Sequence, residues 1–502
     1  MQYLRTMKKS FITLVFAVLA ISSWAIDVKK VDGIYYKLFP TTSSALVVKS
    51  EDEKYSGDIY LPDEITVDGM TYSVTDIEEE VFMDCTELTS IRLSENIWEI
   101  NRRVFYGCTG LTSLVLPNSV THIEYEAFHN CTGLTRVSLG NNLKMVETFS
   151  FWGCDNVKEV VYAEGTKTIL PLIFPSATSV VIPESVEELS DFAFQWYESL
   201  PSITIPNGVK KIKRGVFWGC TGLKSVTIGS GVSEIDMEAF TDCVNVEELI
   251  YADGCTTLLS TGLTSITSVS IPEGVESIGN NAFWRCTQLT SVTIPSTVTS
   301  IGYGAFAECQ NLSSIDMPNS VTNIDGYAFY GCLNLDTVTI PSSVTSIGQD
   351  AFYESGISEI SLPNGLTRIE IGTFFNCGNL KKVTLGNSVT SIGRQAFSWC
   401  KSLSDVYCYT DNVPETDAIA FQSSSLSSCT LHVPSASVDL YRAADGWKEF
   451  YNIIPLTEHE LGIENPSSLS DTDSPIYDLF GRQLQSIQKG ITFIGGKKIM
   501  KF

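Results

Sequence analysis

Along most of this 502-residue chain the apolar positions return in one fixed order, 23 residues apart. A clear copy starts at Leu289: Val292 and Ile294 alternate with Thr293, Pro295 follows, and Val298, Ile301, Gly302, Ala305, Phe306 and Cys309 complete the unit. The alternation predicts a short strand with Val292 and Ile294 inward and Thr293 outward. Proline lacks an N–H and ends the pairing. Val298 and Ile301 are expected in the core on the way back, with Gly302 permitting a tight bend. The segment Ala305 to Cys309 suits one helical turn, placing Phe306 and Cys309 on one face.

The phenylalanine of this unit recurs at Phe82, Phe105, Phe128, Phe151, Phe194, Phe217, Phe240, Phe283, Phe306, Phe329, Phe352, Phe374 and Phe397. One such unit cannot bury both of its sides, so each must cover its neighbour. The predicted fold is a solenoid of roughly 15–16 coils, each a β-strand plus a short helical turn; strands about 4.8 Å apart would make it on the order of 75–80 Å long. Phe105, Phe128, Phe217, Phe240, Phe283, Phe306, Phe329 and Phe397 are the expected core column, each worth about 1.5–3 kcal/mol on burial.

Two stretches break the period alike. Cys154 to Tyr197 and Cys243 to Cys286 each span 43 residues, one long unit plus 20. Both extra pieces carry a related phrase, beginning at Tyr162-Ala-Glu-Gly and Tyr251-Ala-Asp-Gly. Each predicts a shorter coil of about 20 residues, within the range of leucine-rich repeats, and a block duplication would account for the pair.

The ends of such a stack need covers for open core and strand edge. Residues 26–75 read as a β-rich N-terminal cap and 76–433 as the solenoid. Residues 434–462 read as a C-terminal cap with a helix from Ser437 to Trp447, packing through Val438, Tyr441 and Trp447. Residues 463–475 read as a linker, and 476–502 as a short β-rich tail.

The phrase Leu-x-x-Val-x-Ile-Pro-x-x-Val-x-x-Ile-Gly-x-x-Ala-Phe-x-x-Cys resembles the BspA-type, or treponemal-type, leucine-rich repeat over about residues 76–433. The resemblance implies a surface protein that adheres to host matrix or plasma proteins or to other cells, and it carries over no binding residues, because the repeated positions are scaffold. The tail, with Tyr477-Asp-Leu-Phe-Gly-Arg482 and Lys489-Gly-Ile, resembles the sorting domain of the type IX (Por) secretion system, which implies passage across the outer membrane.

Residues 1–25 read as a signal peptide. Lys8 and Lys9 precede an apolar run from Phe11 to Ile21, and Ser23-Trp24-Ala25 offers a cleavage site. These parts fit best if translation starts at Met7. The alternative, an uncleaved anchor, would need a span of about 20 apolar residues, longer than this run; no transmembrane span is expected in the mature chain.

Hydrophobic residues make up 43% of the chain, enough for a core. The formal net charge of -25 argues against nucleic acid, whose phosphates an acidic surface repels. Fourteen cysteines in an exported chain would ordinarily suggest disulfides. Here they fall 23 apart, as at Cys85, Cys108, Cys131 and Cys154, so each is expected as a small buried residue. Neighbours about 5 Å apart lie within disulfide reach, but a uniform ladder cannot pair without strain, and free thiols are the expectation.

Chemistry is sparse. The four histidines are His122, His129, His432 and His459. His129 lies two before Cys131, but a thiol buried in the core is inert. No phosphate loop, zinc spacing or calcium loop is present; no enzyme, metal or cofactor is expected. One column invites a role. The residue after the core phenylalanine is Tyr106, His129, Trp152, Trp218, Trp284, Tyr330, Tyr353 or Phe375. Tilted outward, these rings could bind protein or glycan, or merely pack edge to edge between turns. The outward strand positions Ser225, Thr227, Ser291, Thr293, Thr337 and Thr339 form a second, polar face, suited to protein docking or simply to water.

Overall fold

The computed structural model describes residues 27–50, 53–457 and 460, together with the backbone of 476–478, 483–484, 490–494 and 497–501. The expected leader at 1–25 and linker at 463–475 lie outside the described residues. The fold is a solenoid of about 16 turns with parallel strands and little helix. The chain divides into two units, residues 1–223 with 239–243, and residues 224–238 with 244–502.

In the first unit a five-stranded sheet comes first, in the order Val28–Val31, Ile34–Phe39, Ser44–Val48, Met70–Ile77, Glu64–Val67. Gly57–Tyr60 pairs in parallel with Leu88–Arg92 of the first coil, and the Tyr55 ring lies 4.9 Å from Phe82. The edge and the apolar end that an open coil would expose are thereby covered. The coils then stack in register. Leu114, Val137 and Val160 face one another across adjacent strands, each 23 residues on, whereas Val160 pairs with Val180, only 20 on. The shorter coil is therefore accommodated without a slip, which would have turned every inward side chain outward.

The second unit repeats the design. Leu249 pairs with Val269, again 20 residues on. A seven-stranded sheet begins at Ser314–Asp316 and Thr337–Thr339 and ends at Asn452–Pro455. A second row of two-residue strands, including Ser277–Ile278, Ser300–Ile301 and Asn323–Ile324, forms another parallel ladder on the return side. At Leu289 to Ile294 the expected strand is reduced to one bridge, Thr293 to Asp316. Val292 and Ile294 are nevertheless buried and Thr293 exposed: core side chains hold that segment in place with little main-chain pairing.

The turn around the core phenylalanine differs from the helical turn expected of it. At Phe306 the N–H groups of Ala305, Ala307 and Cys309 close turns onto Gly302, Gly304 and Phe306, three residues back. The intervening N–H groups of Gly304, Phe306 and Glu308 reach the next coil, donating to Gly326, Ala328 and Tyr330 at 2.9, 2.8 and 2.6 Å. Gly304 and Glu308 are left-handed, with φ of 61° and 59°. The reason is spacing. A helix is about 10 Å across and cannot repeat at a strand separation of about 4.8 Å, so the turn flattens and shares its hydrogen bonds with its neighbours.

Gly302 has a different use from the one its position suggested. A Cβ there would stand 2.7 Å from Asn280 Oδ1 and 2.9 Å from Asn280 N. The glycine admits the preceding coil rather than supplying an unusual backbone angle.

The core phenylalanines form stacks. In the second unit Phe283, Phe306, Phe329, Phe352, Phe374, Phe397 and Phe421 follow one another at 5.1–5.5 Å between ring centres, within 20° of parallel. In the first unit Phe82, Phe105 and Phe128 are spaced at 5.2 and 5.1 Å, and Phe217 and Phe240 at 5.0 Å. All are buried.

All fourteen cysteines are buried and free. They do more than fill space. The thiols of Cys108, Cys131, Cys154, Cys220 and Cys243 donate to the carbonyls of Phe82, Phe105, Phe128, Phe194 and Phe217, one coil earlier, at 3.0–3.1 Å. Cys309, Cys332, Cys377 and Cys400 repeat this in the second unit at 3.0–3.3 Å.

At the C-terminal end the helix is Val438–Ala443, shorter than the expected segment reaching Trp447. Trp447 is fully buried beyond it, donating Nε1–H to the Pro414 carbonyl at 3.1 Å, its ring 5.7 Å from Phe421. Gly446, with φ of 81°, turns the chain between helix and tryptophan. Ile476–Asp478, Gln483–Leu484, Gly490–Ile494 and Lys497–Lys501 form a separate antiparallel sheet.

Candidate binding surface

The ring column after the core phenylalanine is not uniform. Tyr106 is half-buried, stacked on His129 at 4.9 Å and 2°. Tyr330, Tyr353 and Phe375 are half-buried and follow one another at 5.1 and 4.9 Å. In these runs the ring faces cover each other and edges point to water. The tryptophans behave differently. Trp218 donates Nε1–H to Asp242 at 3.0 Å and leans toward Phe192. Trp284 is 43% exposed and carries the Arg285 guanidinium 4.4 Å above its ring, while Arg285 pairs with Glu308 at 2.9 Å. Trp152 is 54% exposed and perpendicular to Phe149, 5.5 Å away.

A second set of aromatics escaped the sequence reading. Phe149, Phe192 and Tyr327 stand two residues before a core phenylalanine or its counterpart; Trp196 and Trp399 stand two after. All five are left-handed, with φ between 57° and 64°. Other coils fill these slots with glycine, with Asp84, Asn130 or Asn281, or with long polar side chains such as Arg103, Glu126, Arg285 and Glu308; a residue with a Cβ pays about 1–2 kcal/mol there, Asn and Asp least. The signal was available: an aromatic where the other coils carry glycine or a polar side chain. Tyr327 is hydrogen-bonded to Asp350, which pushes its phenol up to about 12.

Phe149 and Phe192 flank a notch in the first unit. The short coil there turns through Pro171, Leu172, Ile173 and Phe174 with no left-handed residue among them. The turns on either side stand proud of it. Between them lies a cavity of about 280 Å³, bordered by Phe149, Trp152, Leu172, Phe192, Glu147 and Gln195 among others. Phe174 takes the place of a core phenylalanine beneath, 5.3 Å from Phe151.

The outward strand face is polar, as its sequence indicates. Ser291, Thr293, Thr337 and Thr339 are exposed, Ser225 and Thr227 half-buried; Ser225 donates to Glu248 at 3.0 Å. Further along, His432 lies between Asp405 and Glu460, at 3.2 and 3.3 Å, with its ring 4.2 Å from Tyr407. Burial pushes the Cys108 and Cys377 thiols up to about 12, the reverse of what a nucleophile needs. Among the described residues no group of three or more His, Cys, Asp or Glu side chains could hold a metal ion.

A model of BspA type leucine rich repeat regions matches residues 64–179, 173–261, 261–377 and 322–442. The chain belongs to the BspA-type leucine-rich-repeat family. BspA-type repeats are generally non-enzymatic scaffolds, often surface-associated, and leucine-rich-repeat proteins generally bind proteins. Among solved structures this BspA-type chain is similar to a leucine-rich repeat protein from Bacteroides ovatus, at 20% identity over 79% of this chain and 99% of that one, TM-score 0.40. A leucine rich cell surface protein from Faecalibacterium prausnitzii is similar at 22% identity, over 79% and 96%, TM-score 0.33. The pneumococcal vaccine antigen PcpA is similar at 16% identity, over 86% and 99%, TM-score 0.31. The family assignment rests on the sequence match. No curated protein matches the chain. Among the described residues no helix is long and apolar enough to cross a membrane.

Proposed function

We propose that the chain is an exported protein, held on or released from the cell surface, that binds other proteins, such as host matrix or plasma proteins or proteins of other cells. Residues 1–25 act as the leader and 476–502 as the sorting tail that takes the chain across the outer membrane. The observation that carries the binding role is the outward face of the seven-stranded sheet. There Ser314 and Asp316, Thr337 and Thr339, and Glu359 and Ser361 are exposed side by side, one pair per coil, followed by Lys382 and Thr384. A face of short hydroxyls and mixed charge matches the polar, wet contacts of reversible protein complexes, and repetition spreads the affinity over many weak contacts.

In the second unit the ring column is poorly disposed to bind glycan. Sugars pack on ring faces, and Tyr330, Tyr353 and Phe375 turn theirs toward one another.

The test immobilises the chain without residues 1–25 and measures its binding to purified matrix and plasma proteins. Saturable binding that weakens about tenfold or more in a Thr337→Arg, Thr339→Arg double variant supports the reading. Absence of binding across the panel, or equal binding by the variant, removes it. Cell fractionation of chains lacking 1–25 or 476–502 tests the route of export: retention inside the cell is expected for both.

A further inference from the structure

The notch at the first short coil has three properties that the scaffold does not require. It exists because a coil is three residues short, so the flanking turns become walls rather than neighbours. Its rings occupy positions where the backbone favours glycine or asparagine: Phe149 and Phe192 both have φ of 61°. Two rings at its rim also face water, Phe149 being 45% and Trp152 54% exposed, while Phe192 is half-buried. The other coils keep this slot glycine or polar, so an aromatic there adds exposed apolar surface to the cost of the backbone angle. A shortened coil, two left-handed aromatics and two exposed rings at one cavity mark a place kept for a ligand.

Size and chemistry narrow the occupant. At about 280 Å³ the cavity falls below the range of about 300–1,000 Å³ usual for drug-sized ligands, and suits a single ring with its substituents. The Phe149 and Trp152 rings are perpendicular, at 89°, so unlike the stacked runs of the column they do not hide both faces. A pyranose has an apolar C–H face, which packs on the electron-rich face of an aromatic ring, and an equatorial rim of hydroxyls. Gln195 and Glu147 stand at the border to meet such hydroxyls. Glu147, held by the Tyr125 N–H at 3.2 Å, is the one charged residue among those lining the cavity. Its negative charge, on a chain of net charge -25, disfavours sialic or uronic acids.

We propose that this notch binds one neutral hexopyranose residue of a glycan chain, with Phe149, Trp152 and Phe192 as platforms and Glu147 and Gln195 as hydrogen-bonding rim. The site is independent of the protein-docking face, which lies in the other unit.

The test titrates the chain lacking residues 1–25 with malto-, cello-, laminari- and manno-hexaose, and with sialyllactose and oligogalacturonate, by calorimetry. A neutral hexaose should bind, and both Trp152→Ala and Phe149→Asn should weaken it about tenfold or more. Asparagine tolerates the left-handed backbone, so Phe149→Asn should melt no lower than the parent and separates lost binding from lost folding. Trp284→Ala, at the equivalent column position in the second unit, should bind as the parent does. Failure of every neutral hexaose to bind, preference for the acidic sugars, or undiminished binding in both notch variants overturns the proposal. So does a result in which the notch variants lose binding to a matrix protein while no sugar binds. Loss in the Thr337→Arg, Thr339→Arg variant touches only the protein-docking reading.

Discussion

The thiol of Cys309 donates to the main-chain carbonyl of Phe283, one coil back, at 3.0 Å. That carbonyl also accepts the Cys286 N–H at 3.1 Å, so both of its acceptor positions are used inside the core. Cysteine suits the position because it is small, apolar and still a donor. Cys309→Ala removes the donor and leaves a void the size of a sulfur atom, and should cost about 1–3 kcal/mol in denaturant unfolding. Cys309→Ser keeps a donor and should cost less than alanine. Equal losses for both would mean that volume alone matters at this position.

The thiols should be silent in the folded chain and should weaken it at high pH. Burial raises Cys108, Cys377 and Cys429 from 9.0 to about 12. These folded values lie above the unfolded one, so between about pH 9 and 12 the unfolded chain has released protons that the folded chain still holds. The stability is therefore complete below pH 9 and lost as pH rises through that window. Melting temperature should fall from pH 9 upward, and thiol-labelling reagent at pH 8 should react only after denaturant is added.

Phe306 is sandwiched between Phe283 and Phe329 at 5.2 and 5.5 Å and has no exposed surface. Phe306→Ala should cost about 3–5 kcal/mol. Because each coil supports its neighbours, the loss should spread: hydrogen exchange should accelerate in the coils of Phe283 and Phe329 before it does at Phe397.

Glycines in the repeat should answer differently to alanine. Gly302→Ala drives a methyl against Asn280 N at 2.9 Å and should destabilise by about 1–3 kcal/mol. Gly378 has open space around its would-be Cβ and no left-handed angle, so Gly378→Ala should be neutral or stabilise by up to about 1 kcal/mol. Thermal melts of the two variants decide the matter.

Much of the scaffold was legible because a period is a statement about columns. A residue returning every 23 positions must meet its own copies when coils stack, so the core role of Phe306, Cys309 and Ile301 follows from spacing. The notch was half legible: the two 20-residue coils could be counted, and Phe149 and Phe192 could be seen to depart from the repeat. That they border one cavity could not be seen, because it depends on how far a shortened turn draws back between two full ones.

What the sequence determined by itself is the repetition: which side chains recur, where coils shorten, and which positions alternate inward and outward. The tertiary structure alone decided how the main chain is used. Stacking at strand spacing leaves no room for helices, so the turn at Phe306 sends every second N–H to the next coil, Gly302 yields to the backbone of Asn280, and the Cys309 thiol finds the Phe283 carbonyl. Those contacts lie between residues about 22–26 apart in sequence, and only the distance between coils brings them together.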